Sequence, residues 1–80
     1  MSTLAIEVEP LAVAVNFTDS ALRVLLADGR EISVPLTWSP RLLAATPEQR
    51  NRWRLVGGGV GIHWEAIDED ISVESLLRLR

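Results

Sequence analysis

Three runs of alternating apolar residues, separated by loops short enough to fix how the runs pair, constrain this chain more than any other feature. Leu11, Val13, Val15 and Phe17 alternate with smaller or polar residues; Leu22, Val24 and Leu26 form a second run, and Ile32 and Val34 a third. A period of two marks a strand buried on one face. With Thr18 to Ala21 as a four-residue loop, Phe17 pairs with Leu22, Val15 with Val24 and Val13 with Leu26, so all three pairs share one face. The next loop contains Asp28-Gly29, which suggests a two-residue turn. That register would set Leu25 opposite Ile32 but Arg23 opposite Val34, mixing the faces. A three-residue loop, Ala27-Asp28-Gly29, instead pairs Val24 with Ile32 and Leu22 with Val34, with Gly29 at the left-handed position of a bulged turn. The first half therefore reads as a three-stranded antiparallel meander with one apolar face.

That face needs a cover, and the next segment supplies short helices. Ser39-Pro40 is an N-cap followed by a first-turn proline, opening a helix through Leu42, Leu43 and Ala45. Thr46-Pro47-Glu48-Gln49 repeats the signal with capping-box spacing. Trp53 to Val56 fits a fourth strand, the glycines at 57, 58, 59 and 61 a turn, and Ile62-His63-Trp64 a fifth, short strand. Ser72 caps a last helix holding Val73, Leu76 and Leu77, with Ile71 and Leu76 at the positions of a hydrophobic staple. The expected fold is α+β: the meander, then short helices, one or two further short strands and a C-terminal helix. Residues 1–80 form a single small domain, with its ordered part expected over about 10–79.

Composition sets the outer limits. A domain of 80 residues buries roughly 60–65% of the surface its unfolded chain exposes, a thin core that makes a self-partner or another chain a reasonable expectation. With 48% apolar and 24% charged residues the chain has a globular rather than a disordered composition. It has no cysteine, so neither disulfides nor thiolate metal sites can staple it. No apolar run approaches the roughly 18–20 residues of a membrane span, and Met1-Ser2-Thr3-Leu4 does not open a signal peptide. A cytoplasmic protein is the expectation. The net charge of −3 is unevenly spread: from Arg41 to Arg54 four arginines face Glu48 alone, and from Glu65 to Glu74 there are five carboxylates and no base. An acidic whole argues against a dedicated nucleic-acid binder.

Specific chemistries fail residue by residue. Gly57 and Gly59 do not continue into the third glycine of a dinucleotide loop, because Ile62 occupies that place, and a Walker loop needs a lysine this chain lacks. A bulged turn accounts for these glycines. His63 is the only histidine, too few for a structural zinc site in a chain without cysteine. A nucleophile triad with Ser33, Ser39 or Ser75 would need a sharp nucleophile turn that nothing in the sequence supplies. Glu65, Asp68, Glu69 and Asp70 lack the alternation and central glycine of a calcium loop. Three roles stay open for Asp68 to Asp70: favourable charge at the start of the last helix, ion pairs with Arg50, Arg52 or Arg54, and a partner-facing patch. Trp38, Trp53 and Trp64 suit the core or the rim of a binding surface. The basic and aromatic mixture at Arg50, Arg52, Trp53 and Arg54 suits a solvated face, or else RNA.

The order of these motifs carries a family likeness. Asp28-Gly29-Arg30 with Pro35, then Trp38-Ser39-Pro40-Arg41-Leu42, Thr46-Pro47-Glu48-Gln49-Arg50, Gly61-Ile62-His63-Trp64, Asp68-Glu69-Asp70-Ile71-Ser72-Val73 and Leu76-Leu77 follow one another from about Val13 to Leu77. This closely resembles the bacterial domain-of-unknown-function family 2442. The resemblance implies a small α+β domain without an established activity, sometimes fused to a helix-turn-helix domain. It also implies a frequent neighbouring gene for another small protein, an arrangement read as a toxin–antitoxin pair. Since the chain stops at Arg80, no DNA-binding extension is expected.

These readings converge on an interaction or regulatory module, the antitoxin-like partner of a small toxin, possessing neither enzymatic activity nor cofactor nor metal. A ligand- or nucleic-acid-associated regulatory domain is the alternative, and an enzyme using His63 comes last. The expected partners are the neighbouring-gene product and a second copy of the chain, with no membrane and no nucleic acid for the isolated domain. Candidate partner-binding residues are Trp38, Arg41, His63, Trp64, Asp68, Glu69 and Asp70.

Overall fold

The computed structural model describes residues 10–77. Residues 78 and 79, the far end of the expected ordered part, lie outside the described residues. The elements run β1 (Ala12–Phe17), β2 (Ala21–Leu26), β3 (Glu31–Pro35), a 3₁₀ turn (Leu36–Trp38), α1 (Pro40–Ala44), α2 (Pro47–Arg50), β4 (Trp53–Val56), a 3₁₀ turn (Gly57–Gly59), β5 (Gly61–Trp64), β6 (Glu69–Ser72) and α3 (Val73–Leu76). The class is α+β. Two three-stranded antiparallel sheets form, ordered β1-β2-β3 and β4-β5-β6. The second sheet thus has one strand more than the sequence suggests.

The first sheet pairs as its alternation dictates over most of its length. Phe17 faces Leu22, Val15 faces Val24, and across the second hairpin Val24 faces Ile32 and Leu22 faces Val34. Both loops are closed by their own polar groups. Thr18 Oγ1 accepts from the amides of Ser20 (3.3 Å) and Ala21 (3.0 Å). Asp28 Oδ1 accepts from the Arg30 amide (3.0 Å) and Oδ2 from Arg30 Nε (2.8 Å). The Arg30 amide bond is the main reason the Asp28 carboxyl is held below its ordinary pKa. Gly29 turns the chain at φ +94°, a backbone that glycine adopts without strain.

The expected Val13–Leu26 pair does not form. The register slips between Ala12 and Ala14, so Ala12 faces Leu26 and Val13 is the extra residue of a β-bulge. Val13 is consequently 50% exposed, and Ala12 joins the core in its place. The neighbouring glycine turn lies against the backbone at this point. A side chain on Gly59, which sits at φ +109°, would come within 2.5 Å of the Ala12 carbonyl oxygen. Such an approach admits only a glycine facing a bare stretch of backbone, and it fastens the start of β1 to the β4–β5 connection.

The helices follow their capping chemistry. Ser39 Oγ accepts from the Leu42 amide (3.3 Å) at the start of α1. Thr46 and Gln49 form the reciprocal capping box of α2, at 3.1 and 3.0 Å. Ser72 Oγ accepts from the Ser75 amide (3.2 Å) at the start of α3.

β1 approaches β4, and the inner faces of both sheets share one apolar cluster with Leu36, Leu42, Val73 and Leu76. Trp64 is its largest member and is fully buried, 0% exposed. It meets Phe17 edge to face, with ring centroids 6.3 Å apart, and its Nε1 donates to the Arg50 carbonyl (3.0 Å). In this way the second sheet is bolted to both the meander and the helical segment.

Candidate functional site

The second sheet presents two chemically different rows. Register aligns Trp53, Trp64 and Glu69 on one face and Arg54, His63 and Asp70 on the other. Trp64 is in the core, so Glu69 is an acid carried on the inward face. It ends up there because the Glu65–Asp68 turn fixes the start of β6. Asp68 sits at φ +53°, a left-handed conformation that aspartate tolerates better than most residues, and its amide donates to the Glu65 carbonyl (3.3 Å).

Glu69 is partly buried against α1. Its Oε2 accepts from Ser39 Oγ (2.6 Å), and its Oε1 accepts from the Asp70 amide (3.2 Å). Ser39 is itself only 8% exposed and so spends both its donor and its acceptor on structure. Beside this contact lies a cavity of about 200 Å³, open to solvent between the β3 end of the first sheet and β6. Val34, Leu36, Leu42, Ile71 and Leu76 give it apolar walls, Ser39, Glu69, Ser72 and Ser75 its polar groups, and Trp38, 39% exposed, belongs to the same lining.

Six of the seven candidate residues lie in or around this region, but in separate contacts. Trp38, Glu69 and Asp70 line the cavity. Arg41 donates to the Asp68 carbonyl oxygen and lies 3.9 Å from its carboxylate, tying α1 to the β5–β6 turn. His63 sits on the outer row, its side chain 17% exposed, with Nδ1 2.6 Å from Asp70 Oδ1 and Nε2 3.9 Å from Glu65. The seventh candidate is corrected: Trp64 is wholly internal and offers no surface to a partner.

One reading of the acids is corrected. Glu69 and Asp70 lie in β6, which leads directly into the Ser72-capped α3, but none of Asp68, Glu69 and Asp70 pairs with Arg50, Arg52 or Arg54. Those arginines have other work. Arg50 Nε and Nη2 donate to the carbonyls of Leu42 (2.8 Å) and Leu43 (2.9 Å), satisfying the last turn of α1. Arg52 faces Glu48 at 4.0 Å and Arg54 faces Glu65 at 3.7 Å, both in solvent, where such pairs add little stability. Among the described residues, no group of three or more His, Cys, Asp or Glu is placed to hold a metal ion. No helix among them is long and apolar enough to cross a membrane.

The sequence does not mark Ser72 and Ser75 as cavity residues, and it offers Ser39 as a helix cap or a triad nucleophile rather than as the partner of Glu69. The capping signal of Ser39 identified the residue but not the strand that meets it.

The sequence matches one family, described as protein of unknown function (DUF2442), over residues 12–80. The chain belongs to this family. No curated protein matches it. Among solved structures, the chain is similar to a protein of unknown function from Rhodospirillum rubrum, with 28% identity, a TM-score of 0.75 and 86% of each chain covered. It is also similar to an uncharacterized protein from Chromobacterium violaceum, with 26% identity and a TM-score of 0.72 over 84% of this chain. The match spans 63% of that second, longer chain. These two structures share the overall fold described above.

Proposed function

We propose that this DUF2442 domain is a non-enzymatic protein-interaction module that receives a side chain of its partner in the cavity between β3 and β6. The size of that cavity carries the reading. Pockets for cofactors and drug-sized ligands typically occupy about 300–1,000 Å³, whereas a cavity of roughly 150 Å³ takes a benzene-sized group. At about 200 Å³ this one suits a single side chain. Its mixed walls and the neighbouring indole of Trp38 suit a protein surface, where tryptophan is over-represented among the residues that dominate affinity.

The family resemblance supplies the partner: the product of the neighbouring gene, with this chain as the antitoxin-like member of the pair. The interaction reading is preferred to the nucleic-acid alternative because Arg41 and Arg50 donate to backbone carbonyls within the fold and Arg52 and Arg54 each face a carboxylate.

Co-expression of a tagged chain with the neighbouring-gene product tests the proposal. A stoichiometric complex is expected, and Trp38→Ala should weaken it while the chain stays folded. Failure to recover a complex, with a control pair recovered in parallel, would sink the antitoxin-like role. A complex indifferent to Trp38→Ala would remove the cavity from the interface.

A further inference from the structure

We infer that the group received beside Glu69 is a guanidinium, so that the partner presents an arginine to this cavity. The inference rests on the proposed interaction role and deepens it by naming the chemistry of the contact.

Burial and charge pairing together set Glu69 apart from the other described carboxylates, of which Asp19 and Glu74 are exposed. Asp28, Glu31, Glu48, Glu65 and Asp68 each have an arginine within 4.0 Å, and Asp70 has His63. Glu69 differs from all of these. It is partly buried and accepts from a hydroxyl and an amide, with no cationic group among the described residues within ion-pair distance. An ionised carboxylate withdrawn from water recovers its lost hydration only in part through two neutral donors, and a cation completes the recovery. Ser39, which donates to it, holds the carboxylate at the wall of a cavity of side-chain size.

A guanidinium fits this setting better than an ammonium. It is more weakly hydrated and loses less on entering an apolar-walled site, and its planar fork can address a carboxylate and nearby hydroxyls together. The indole of Trp38 in the same lining is a further attraction for a cation.

The test uses N-acetyl-arginine methylamide and its neutral isostere N-acetyl-citrulline methylamide as probes, followed by amide and indole NMR shifts. The arginine probe should give saturable shifts at Ser39, at residues 69–72, at Ser75 and at the Trp38 indole, with the citrulline probe about tenfold weaker or more. Glu69→Gln keeps an acceptor for Ser39, so its spectrum should remain that of the folded chain while the arginine preference disappears. Equal response to the two probes, or a preference that survives Glu69→Gln, overturns the inference.

The complex with the neighbouring-gene product separates this inference from the reading beneath it. Weakening by Trp38→Ala but not by Glu69→Gln would refute the guanidinium and leave the cavity as the contact. Indifference to both substitutions would refute the cavity itself.

Discussion

The two sheets share a topology and differ in what they spend it on. Each is a three-stranded antiparallel meander. The first buries an unbroken apolar row, with Val15, Val24 and Ile32 in one line and Phe17, Leu22 and Val34 in the next. Its outer face mixes Leu25 with polar residues, Arg23 and Glu31 being paired at 2.6 Å. The second sheet places Glu69 in line with Trp53 and Trp64 on its inner side. Local rules build most of the first sheet, the Val13 bulge apart, whereas the second departs from them by carrying an acid on its inner face.

Removing the largest shared element should break the comparison most severely. Trp64→Ala deletes a fully buried ring, its edge contact with Phe17 and its bond to the Arg50 carbonyl. Such truncations cost about 3–5 kcal/mol, against a total of roughly 4–12 kcal/mol for a domain of this length. Urea denaturation followed by circular dichroism should show the cooperative transition lost or shifted to very low urea in both sheets at once.

The second test concerns how the sheets are joined. Gly59→Ala brings a methyl group within 2.5 Å of the Ala12 carbonyl oxygen and strains a backbone at φ +109°, whereas Gly29→Ala meets nothing within 4 Å and strains only its own turn. The first should cost about 3 kcal/mol and the second about 1–2 kcal/mol, read from the same denaturation curves. Equal losses would mean that the contact between β1 and the glycine turn is not tight in solution.

Within the first sheet, the bulge makes a finer contrast. Val13→Thr should change stability by less than about 0.5 kcal/mol, while Val15→Thr, which buries a hydroxyl, should cost about 1–3 kcal/mol. If both cost the same, Val13 would be facing the core after all.

The smallest effect is electrostatic and belongs to the loop joining β2 and β3. The folded-state pKa of Asp28 is lowered, so its contribution is present above the unfolded carboxyl value of about 3.9 and is lost as pH falls through the depressed folded value. Melting temperatures measured between neutral and strongly acidic pH should therefore converge for the wild type and Asp28→Asn at the acidic end, with a slight advantage to the wild type above it.

The sequence made most of this legible wherever chemistry is local. Turn lengths and alternation gave the hairpin register, and Ser39, Thr46 and Ser72 gave the helix starts, because each signal lies within a few residues of what it controls. Val13 was misplaced because the bulge sits where β1 meets the distant Gly59 turn, and nothing in the run itself announces it. β6 was hidden for a related reason. Glu69-Asp70-Ile71-Ser72 has one apolar side chain and resembles a helix lead-in, and it becomes a strand only by pairing with β5. The site inherits that difficulty. Candidate residues came from an acidic and aromatic segment, yet the Ser39–Glu69 contact joins positions thirty apart and separates Trp64, which packs inside, from its neighbour Glu65 on the surface.

Amide hydrogen exchange of the chain, free and bound to the neighbouring-gene product, tests the division of labour between the sheets most directly. The account predicts slowed exchange in residues 36–42 and 69–76, which border the cavity, and little change in β1 and β2. Protection concentrated in β1 and β2, with residues 69–76 unaffected, would contradict it.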